Sequence, residues 1–593
     1  MTPSSSTRSP RRRTVVALAV VLIVLCAFVI RLVDIQVVNA RENVDAAVEH
    51  GLGVTQTIAG TRGAIVDASG RPLASSILTY TCQYDPSNVR DISRTAADGT
   101  KLVTAWSHVS TQIAKITGQS VDQVRATVSD ALVNNPHAQY AQLKKGLSTE
   151  QYRALMDLGV DYITCTADPA RAYPNGAVAG NLVGFVRGDG KPLAGLESEY
   201  NRCLAAKSGT LTFQKGKDGV IIPGTESEQP ATDGGTLTLT IDTDLQWYMT
   251  QLAQQAKQDM HATFATITVL DVKTGKLKAA AEYPTVDPNN FDAKGSYLSS
   301  RIFNWQFEPG STFKGITAST LLDSGAATPT STEIVPDRKH FPNGAVVSDA
   351  TRHPTYDYTL AGVLMDSSNV GASTFSQRVS LKTRYDYLKK FGIGSGSAIT
   401  FPGQTQGIVH PYQQWDNQMR YDTSYGQGLT TTVPELLGAY DAIIDGGVKK
   451  PLQLVESCTK PDGTVVKPTL PKATRVISSK TSAQMREILE NVALQASYAK
   501  MIKIPGYRIG VKTGTGQIAA NGHYKAGVYY TTMIGFAPAN DPQYLVAVTL
   551  DEPTKVRSSS ANAPYFQKAM TQVLKTYRVM PATSKPTILP KFG

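Results

Sequence analysis

Residues 14–30 are uninterruptedly apolar or small, with Arg11, Arg12 and Arg13 before them and Arg31 after. These 17 positions form a helix of about 25 Å, just short of a bilayer core of roughly 30 Å, and Leu32 and Val33 extend it while Arg31 reaches back to the interface. The pattern predicts one spanning anchor over 14–33. Clustered arginines ahead of it predict a cytoplasmic tail, 1–13, and an external remainder. A cleaved signal peptide competes, but Val38-Asn39-Ala40, the small-residue site nearby, lies beyond the apolar run and after Arg31 and Asp34.

From 34 to 232 the pattern is mixed. Alternating runs at 78–84 and 211–213 read as strands, 105–116 and 148–158 as helices, and 62–74 as strand, turn and strand with Gly70 at the turn. No acid, base and nucleophile converge here, so a structural or partner-binding module is expected. The stretch 217–236 is rich in Gly, Pro, Glu and Asp and reads as a boundary or exposed hairpin. A second unit, 233–578, then begins. Its strand 237–241 leads to a helix capped by Asp242 and running to about 260, followed by strands 265–272 and 277–282 around Gly275. A long helical middle precedes late strands at 507–513, 529–536 and 544–550. The closing helix, 564–577, carries the stripe Phe566, Ala569, Met570, Val573, Leu574 and Tyr577. This order predicts an α+β fold, an antiparallel sheet with helices on its faces. Residues 579–593 lack a core pattern and, with three prolines from Pro581 onward, read as a flexible tail.

Composition narrows the picture. At 593 residues the chain exceeds one core. The net charge of +11 resides partly in the amino-terminal arginines and comes without zinc-finger or RNA-binding signatures, so nucleic acid is not an expected partner. The eight histidines show no ligand spacing, and no metal or cofactor is expected. The five cysteines include no C-x-x-C; a disulfide among Cys82, Cys165 and Cys203 outside the cytoplasm competes with small buried hydrophobes, and the sequence does not choose the pairing, Cys458 included.

Candidate chemistry starts at Ser311-Thr312-Phe313-Lys314. Pro309 suits a helix start, and Phe313, Ile316 and Leu321 recur at helical spacing, so Ser311 and Lys314 share a face. A buried neutral lysine can take the hydroxyl proton. Ser367-Ser368-Asn369 follows a short apolar helix pattern at 360–365, and Lys512-Thr513-Gly514-Thr515 sits in the first late strand. Two glycine-rich stretches are decoys: in 506–513 Val511 replaces the glycine that a phosphate loop needs before lysine, and 392–396 resembles a dinucleotide loop only superficially.

Serine with lysine one turn on, then Ser-x-Asn, then Lys-Thr-Gly, in that order, resembles the active-site signature of penicillin-binding proteins and serine β-lactamases. Glu308-Pro309-Gly310 before Ser311, Gly426-Gln427-Gly428, and Gly516-Gln517 after Thr515 look like class B penicillin-binding proteins, most similar to the division-specific type. Thr240-Ile241-Asp242 with Leu245-Gln246 resembles the start of their transpeptidase domain. Arg62-Gly63, Ile65, Asp67, Gly70, Leu73 and Ala74, then Tyr173-Pro174, Gly184-Phe185-Val186 and Gly195-Leu196-Glu197, resemble their pedestal. Ala68 departs from the pattern, the family usually carrying arginine there.

The resemblance implies a penicillin-binding transpeptidase domain on an elongated mixed α/β pedestal and a peptidoglycan D,D-transpeptidase acylated by β-lactams. It implies Ser311 as nucleophile on a stem-peptide carbonyl, Lys314 as base beside a cationic Lys512, and Ser367 as proton relay. Asn369 would fix Lys314 and a substrate amide, while Lys512, Thr513 and Thr515 hold the substrate carboxylate. The backbone N–H groups of Ser311 and Thr515 would bind the oxyanion, and Gly514 would let substrate backbone approach. Expected partners are peptidoglycan stem peptides, a membrane glycosyltransferase and division proteins. A D,D-carboxypeptidase or β-lactamase, and a β-lactam sensor or division scaffold, are the alternatives.

Overall fold

The computed structural model describes residues 10–39, 53–95, 101–215, 221–293, 297–520 and 523–593. Most of the expected cytoplasmic tail, residues 1–9, lies outside them, as do Ala40 of the weighed cleavage site and 217–220 of the expected boundary. By contact density the chain divides into two compact units, Met1–Thr61 with Ala206–Gly234, and Arg62–Ala205 with Gly235–Gly593. The expected pedestal, 34–232, is distributed over both.

In the first unit the apolar run forms α1, Pro10–Val33, exposed along its described length. With the turn that follows it to Val38, α1 is long and apolar enough to cross a membrane. The same unit holds a three-stranded antiparallel sheet of Gly53–Ile58, Gly209–Gln214 and Ser227–Gln229.

The second unit shows why residues 62–205 do not separate from residues 235–593. Ile65–Val66 pairs in parallel with Leu237 and Thr238, and the strand Thr236–Leu239 pairs on its other side with Val455–Thr459. One sheet therefore runs through both segments. A disulfide joins Cys203 to Cys458 across the same seam, and Cys82 is bonded to Cys165. Buried Glu197 accepts from Arg62 Nε at 2.7 Å and Arg171 Nε at 2.6 Å, a use for the Arg-Gly and Gly-Leu-Glu segments. Next to Ala68, Arg71 reaches Asp67, Asp242 and Asp244. Burial opposes the Asp67 charge, but hydrogen bonds from Thr243, Ser69 and Arg71 outweigh it and hold the carboxyl well below its usual range.

The second unit also holds a sheet of five antiparallel strands: β1 (Phe264–Asp271), β2 (Lys276–Tyr283), β3 (Gly510–Ala520), β4 (His523–Ala537) and β5 (Tyr544–Asp551), in the order β2-β1-β5-β4-β3. Helix α2 (Thr243–Met260) packs on β1 and β2; its cap is Asp242, whose side chain accepts from the amides of Asp244 and Leu245. Of the helices between β2 and the late strands, four position the site: α3 (Phe313–Asp323), α4 (Leu360–Met365), α5 (Asn369–Ser376) and α6 (Val433–Ile444). Helix α7 (Ser479–Gln495) lies against β3, and α8 (Ala563–Thr576) against β4, β5 and α2.

Two expectations change. Strand β3 begins at Gly510, after a turn through 504–507, and runs on to Ala520: the ladder with β4 continues past Gly514 and Gly516, where an apolar pattern has nothing to display. The carboxyl-terminal residues, expected as a flexible tail, are docked. Asn491 donates to the Thr587 carbonyl at 2.8 Å and accepts from the Leu589 amide at 3.0 Å, Leu589 is buried, and Phe592 pairs with Tyr358. These bonds use backbone groups and one buried asparagine, so no hydrophobic periodicity announces them.

Candidate active site

A tight turn, Gly310–Thr312, leads into α3, so Ser311 lies on the turn and Lys314 in the first turn of the helix. Helix α3 is buried on nearly every face; Phe313, Ile316 and Leu321 anchor it, and Lys314 is carried into the interior with them. Lys314 Nζ lies 2.8 Å from Ser311 Oγ, 2.7 Å from Asn369 Oδ1 and 3.3 Å from Ser367 Oγ, and also donates to the Ser367 carbonyl. Lys512 Nζ donates to Ser367 Oγ at 2.9 Å and to the Thr513 carbonyl at 3.1 Å. One hydroxyl thus stands between two buried amines.

The Ser367 backbone adopts φ +57°, the left-handed region, between the end of α4 and the Ser368 cap of α5. Non-glycine residues there are uncommon and cluster at functional sites. The conformation aims both the Ser367 carbonyl and its hydroxyl at the lysines.

Burial pushes Lys314 down to about 7, against the pull of the Asp349 carboxylate. It holds Lys512 well below the ordinary lysine range, and repulsion from Lys314 adds to this. Burial dominates for both amines, and the repulsion between them is felt at Lys512. Among the described residues no carboxylate pairs with either amine.

Strand β3 is an edge strand, so its outer backbone is open to a pairing segment. Its glycines answer to the chain's own backbone. A Cβ on Gly514 would stand 2.4 Å from the Pro309 carbonyl oxygen, and one on Gly516 would stand 1.8 Å from that of Glu308. The expectation that Gly514 makes room for substrate is therefore corrected: the backbone passing it is the 308–310 segment that delivers Ser311. Gly310, at φ +52°, closes the same contact, since a Cβ there would stand 2.5 Å from the Thr515 carbonyl oxygen. Gly516→Ala is expected to cost about 1–3 kcal/mol or more, as overpacking does, and to lower acylation by moving Ser311. Thermal denaturation with penicillin acylation rates would check both. Thr513 Oγ1 lies 3.4 Å from Tyr498 OH, and Thr515 Oγ1 accepts from the Ser559 amide at 3.2 Å.

Sequence reasoning missed Asp349, which lies 18 positions before Ser367 with no motif around it. Its carboxylate accepts from Ser368 Oγ at 2.6 Å and from the amides of Asn369 and Val370 at 2.5 and 2.9 Å, and also meets His353 Nε2 at 2.9 Å. It thereby fixes the start of α5. Glu308, in the motif before Ser311, has a role of its own. It accepts from the Gly428 amide at 3.0 Å and Tyr524 OH at 2.8 Å, and burial pushes it up to about 7.

The chain matches the penicillin binding protein transpeptidase domain over residues 265–571 and the penicillin-binding protein dimerisation domain over 57–239. The chain belongs to the penicillin-binding protein transpeptidase family. Among its relatives, penicillin-binding protein PbpB of Mycolicibacterium smegmatis is 31% identical over 94% of this chain and 89% of its own length. Peptidoglycan D,D-transpeptidase FtsI of Escherichia coli K12 is 28% identical over 89% of this chain and 85% of its own. Penicillin binding protein 3 of Mycobacterium tuberculosis, solved in complex with ampicillin, superposes with a TM-score of 0.69 at 27% identity, covering 91% of this chain and 100% of that one. Within this penicillin-binding protein family the three motifs define the candidate site, and here Ser311, Lys314, Ser367, Asn369 and Lys512 meet around one hydroxyl and two amines.

Proposed function

We propose that this chain is a membrane-anchored peptidoglycan D,D-transpeptidase of septal wall synthesis, acylated by β-lactams at Ser311. The observation that carries the reading is the hydrogen bond from a buried, depressed Lys314 to Ser311 Oγ beside a second buried lysine without a carboxylate partner. Burial disfavours a charge on Lys512, and an anion arriving beside it, such as the terminal carboxylate of a stem peptide, would favour the protonated amine.

Ser311 Oγ attacks the carbonyl carbon of the penultimate D-alanine while its proton passes to neutral Lys314. The carbonyl oxygen becomes an oxyanion facing the amides of Ser311 and Thr515, donors worth about 2.7–4 kcal/mol each when they are in place. Lys512, Thr513 and Thr515 bind the carboxylate, and substrate backbone adds to the free edge of β3. The C–N bond breaks as a proton returns through Ser367 to the leaving D-alanine amine. Asn369 holds Lys314 throughout. An amine of a neighbouring stem peptide then attacks the ester, losing a proton to the same base and releasing Ser311.

The glutamates favour transpeptidation over hydrolysis. Of Glu435, Glu456, Glu487 and Glu490, those between Asn369 and Lys512, three are committed. Glu435 accepts from the amides of Ser395, Gly396 and Gly407, Glu456 pairs with Lys276, and Glu490 with Arg508. Those three carboxylates are engaged in holding the fold, which supports a long-lived acyl-enzyme. Full-length protein in detergent is expected to form an adduct on Ser311 that persists for many turnovers of a hydrolase; penicillin hydrolysed rapidly, read by mass spectrometry, would overturn the reading.

Amino-terminal arginines and α1 support an anchor with its amino terminus in the cytoplasm, and two disulfides suit a catalytic region outside it. In this reading 34–232 is the pedestal, 233–578 the transpeptidase domain, and a membrane glycosyltransferase and division proteins are the partners.

A further inference from the structure

We propose that the docked segment 587–593 is a positioning element of the active site, holding Ser367-Ser368-Asn369 through two separate lines of contact. The proposal rests on the transpeptidase reading and assigns a role to a part of the chain far in sequence from all three motifs.

The first line is polar. Thr359, the cap of α4, donates its amide to the Lys591 carbonyl at 3.1 Å and its hydroxyl to the Pro590 carbonyl at 2.8 Å, while that hydroxyl also accepts from the Gly362 amide. The approach is close: a Cβ on Gly362 would stand 1.9 Å from the Lys591 carbonyl oxygen. At the other end of α4, Lys591 Nζ donates to Asp366 Oδ1 at 2.7 Å and Tyr358 OH to Asp366 Oδ2 at 2.8 Å. Asp366 precedes Ser367, the residue in the left-handed conformation whose carbonyl and hydroxyl meet the lysines. A residue in that conformation persists only where its surroundings over-determine it. Lys591 and Tyr358 fix its neighbour, and the segment clamps both ends of the helix leading into it.

The second line is aromatic. Phe592 packs on Tyr356 and Tyr358 at centroid distances of 4.7 and 5.1 Å, and Tyr356 stacks on His353 at 5.4 Å. His353 meets the Asp349 carboxylate, which takes the Ser368 hydroxyl and the Asn369 and Val370 amides. Phe592 thus braces the ring that braces the carboxylate at the start of α5. The segment is itself tied to α7 by Asn491 and by Gln495, which donates to the Leu589 carbonyl at 3.1 Å.

Neither line touches substrate, so the effect falls on the chemical step. In full-length protein in detergent, Lys591→Ala combined with Phe592→Ala is expected to lower the rate constant of acylation by a fluorescent penicillin about tenfold or more, the scale of a misplaced catalytic group. The dissociation constant of the preceding complex should stay within about twofold, and Lys591→Arg with Phe592→Tyr should restore the rate. Circular dichroism identifies a variant that fails to fold, and Lys591→Ala alone then serves. The proposal fails if the folded alanine variant acylates at the parent rate, or if the conservative pair loses as much as the alanine pair. A parent that is not acylated at Ser311 would instead sink the transpeptidase reading.

Discussion

Ser311→Ala protein is expected to take up no covalent β-lactam, to form no peptide cross-links and to leave cells that depend on it inviable, while keeping its fold. Among the described residues Ser311 Oγ accepts one hydrogen bond, from Lys314, which keeps Asn369 Oδ1 and the Ser367 carbonyl as acceptors. Losing one acceptor costs an amount of the order of 1 kcal/mol, too little to unfold a domain with two disulfides. The chemical loss is of another size, because among the described residues the hydroxyl left within reach of the base is that of Ser367, which the second lysine already engages. The checks are gel fluorescence with labelled penicillin and complementation of a depleted strain, with a fluorescent fusion showing that the variant still reaches the septum. Full complementation would mean that scaffolding suffices.

Acylation is expected to rise with pH up to about 7 and then level off, because Lys314 must be neutral to accept the proton and burial sets its ionisation near that value. Below that pH the rate should fall about tenfold per unit, as the protonated fraction of a single base dictates. Lys314→Met should remove this limb and reduce the rate by about 10²–10⁴-fold, the usual contribution of a positioned base. Stability should also rise with pH, over a higher window. A lysine whose folded ionisation is depressed binds fewer protons in the native state, so its penalty is full below pH 7 and is relieved as pH climbs toward 10.5, the ordinary lysine value. Lys314→Met is therefore expected to raise the melting temperature at neutral pH while nearly abolishing acylation. A flat rate profile through pH 7, or a destabilised Met variant, would contradict this account.

These effects were legible because the residues behind them combine an unusual side chain with a fixed spacing. Lys314 sits one turn from Ser311 within an apolar helix pattern, and burial of that helix says most of what matters about the amine. The cap at Asp242 and the stripe on α8 were read for the same reason: one local rule decides each. Asp349, His353 and the segment 587–593 obeyed no local rule. Asp349 works by presenting a carboxylate to amides of a helix it does not belong to, and Lys591 and Phe592 work by distance across the fold. The glycines of β3 stand between the cases, since glycine marks a close backbone approach without saying which backbone makes it.

The sheet shared by Ile65–Val66 and Thr236–Leu239 bears on how this protein can be dissected. A recombinant fragment cut at residue 233 would begin next to a strand stripped of its parallel neighbour and would carry Cys458 as an unpaired thiol. Its solubility and its affinity for antibiotics would then report the wound as much as the enzyme. Inhibitor screens and crystallisation trials are better served by a soluble form that starts upstream of Arg62.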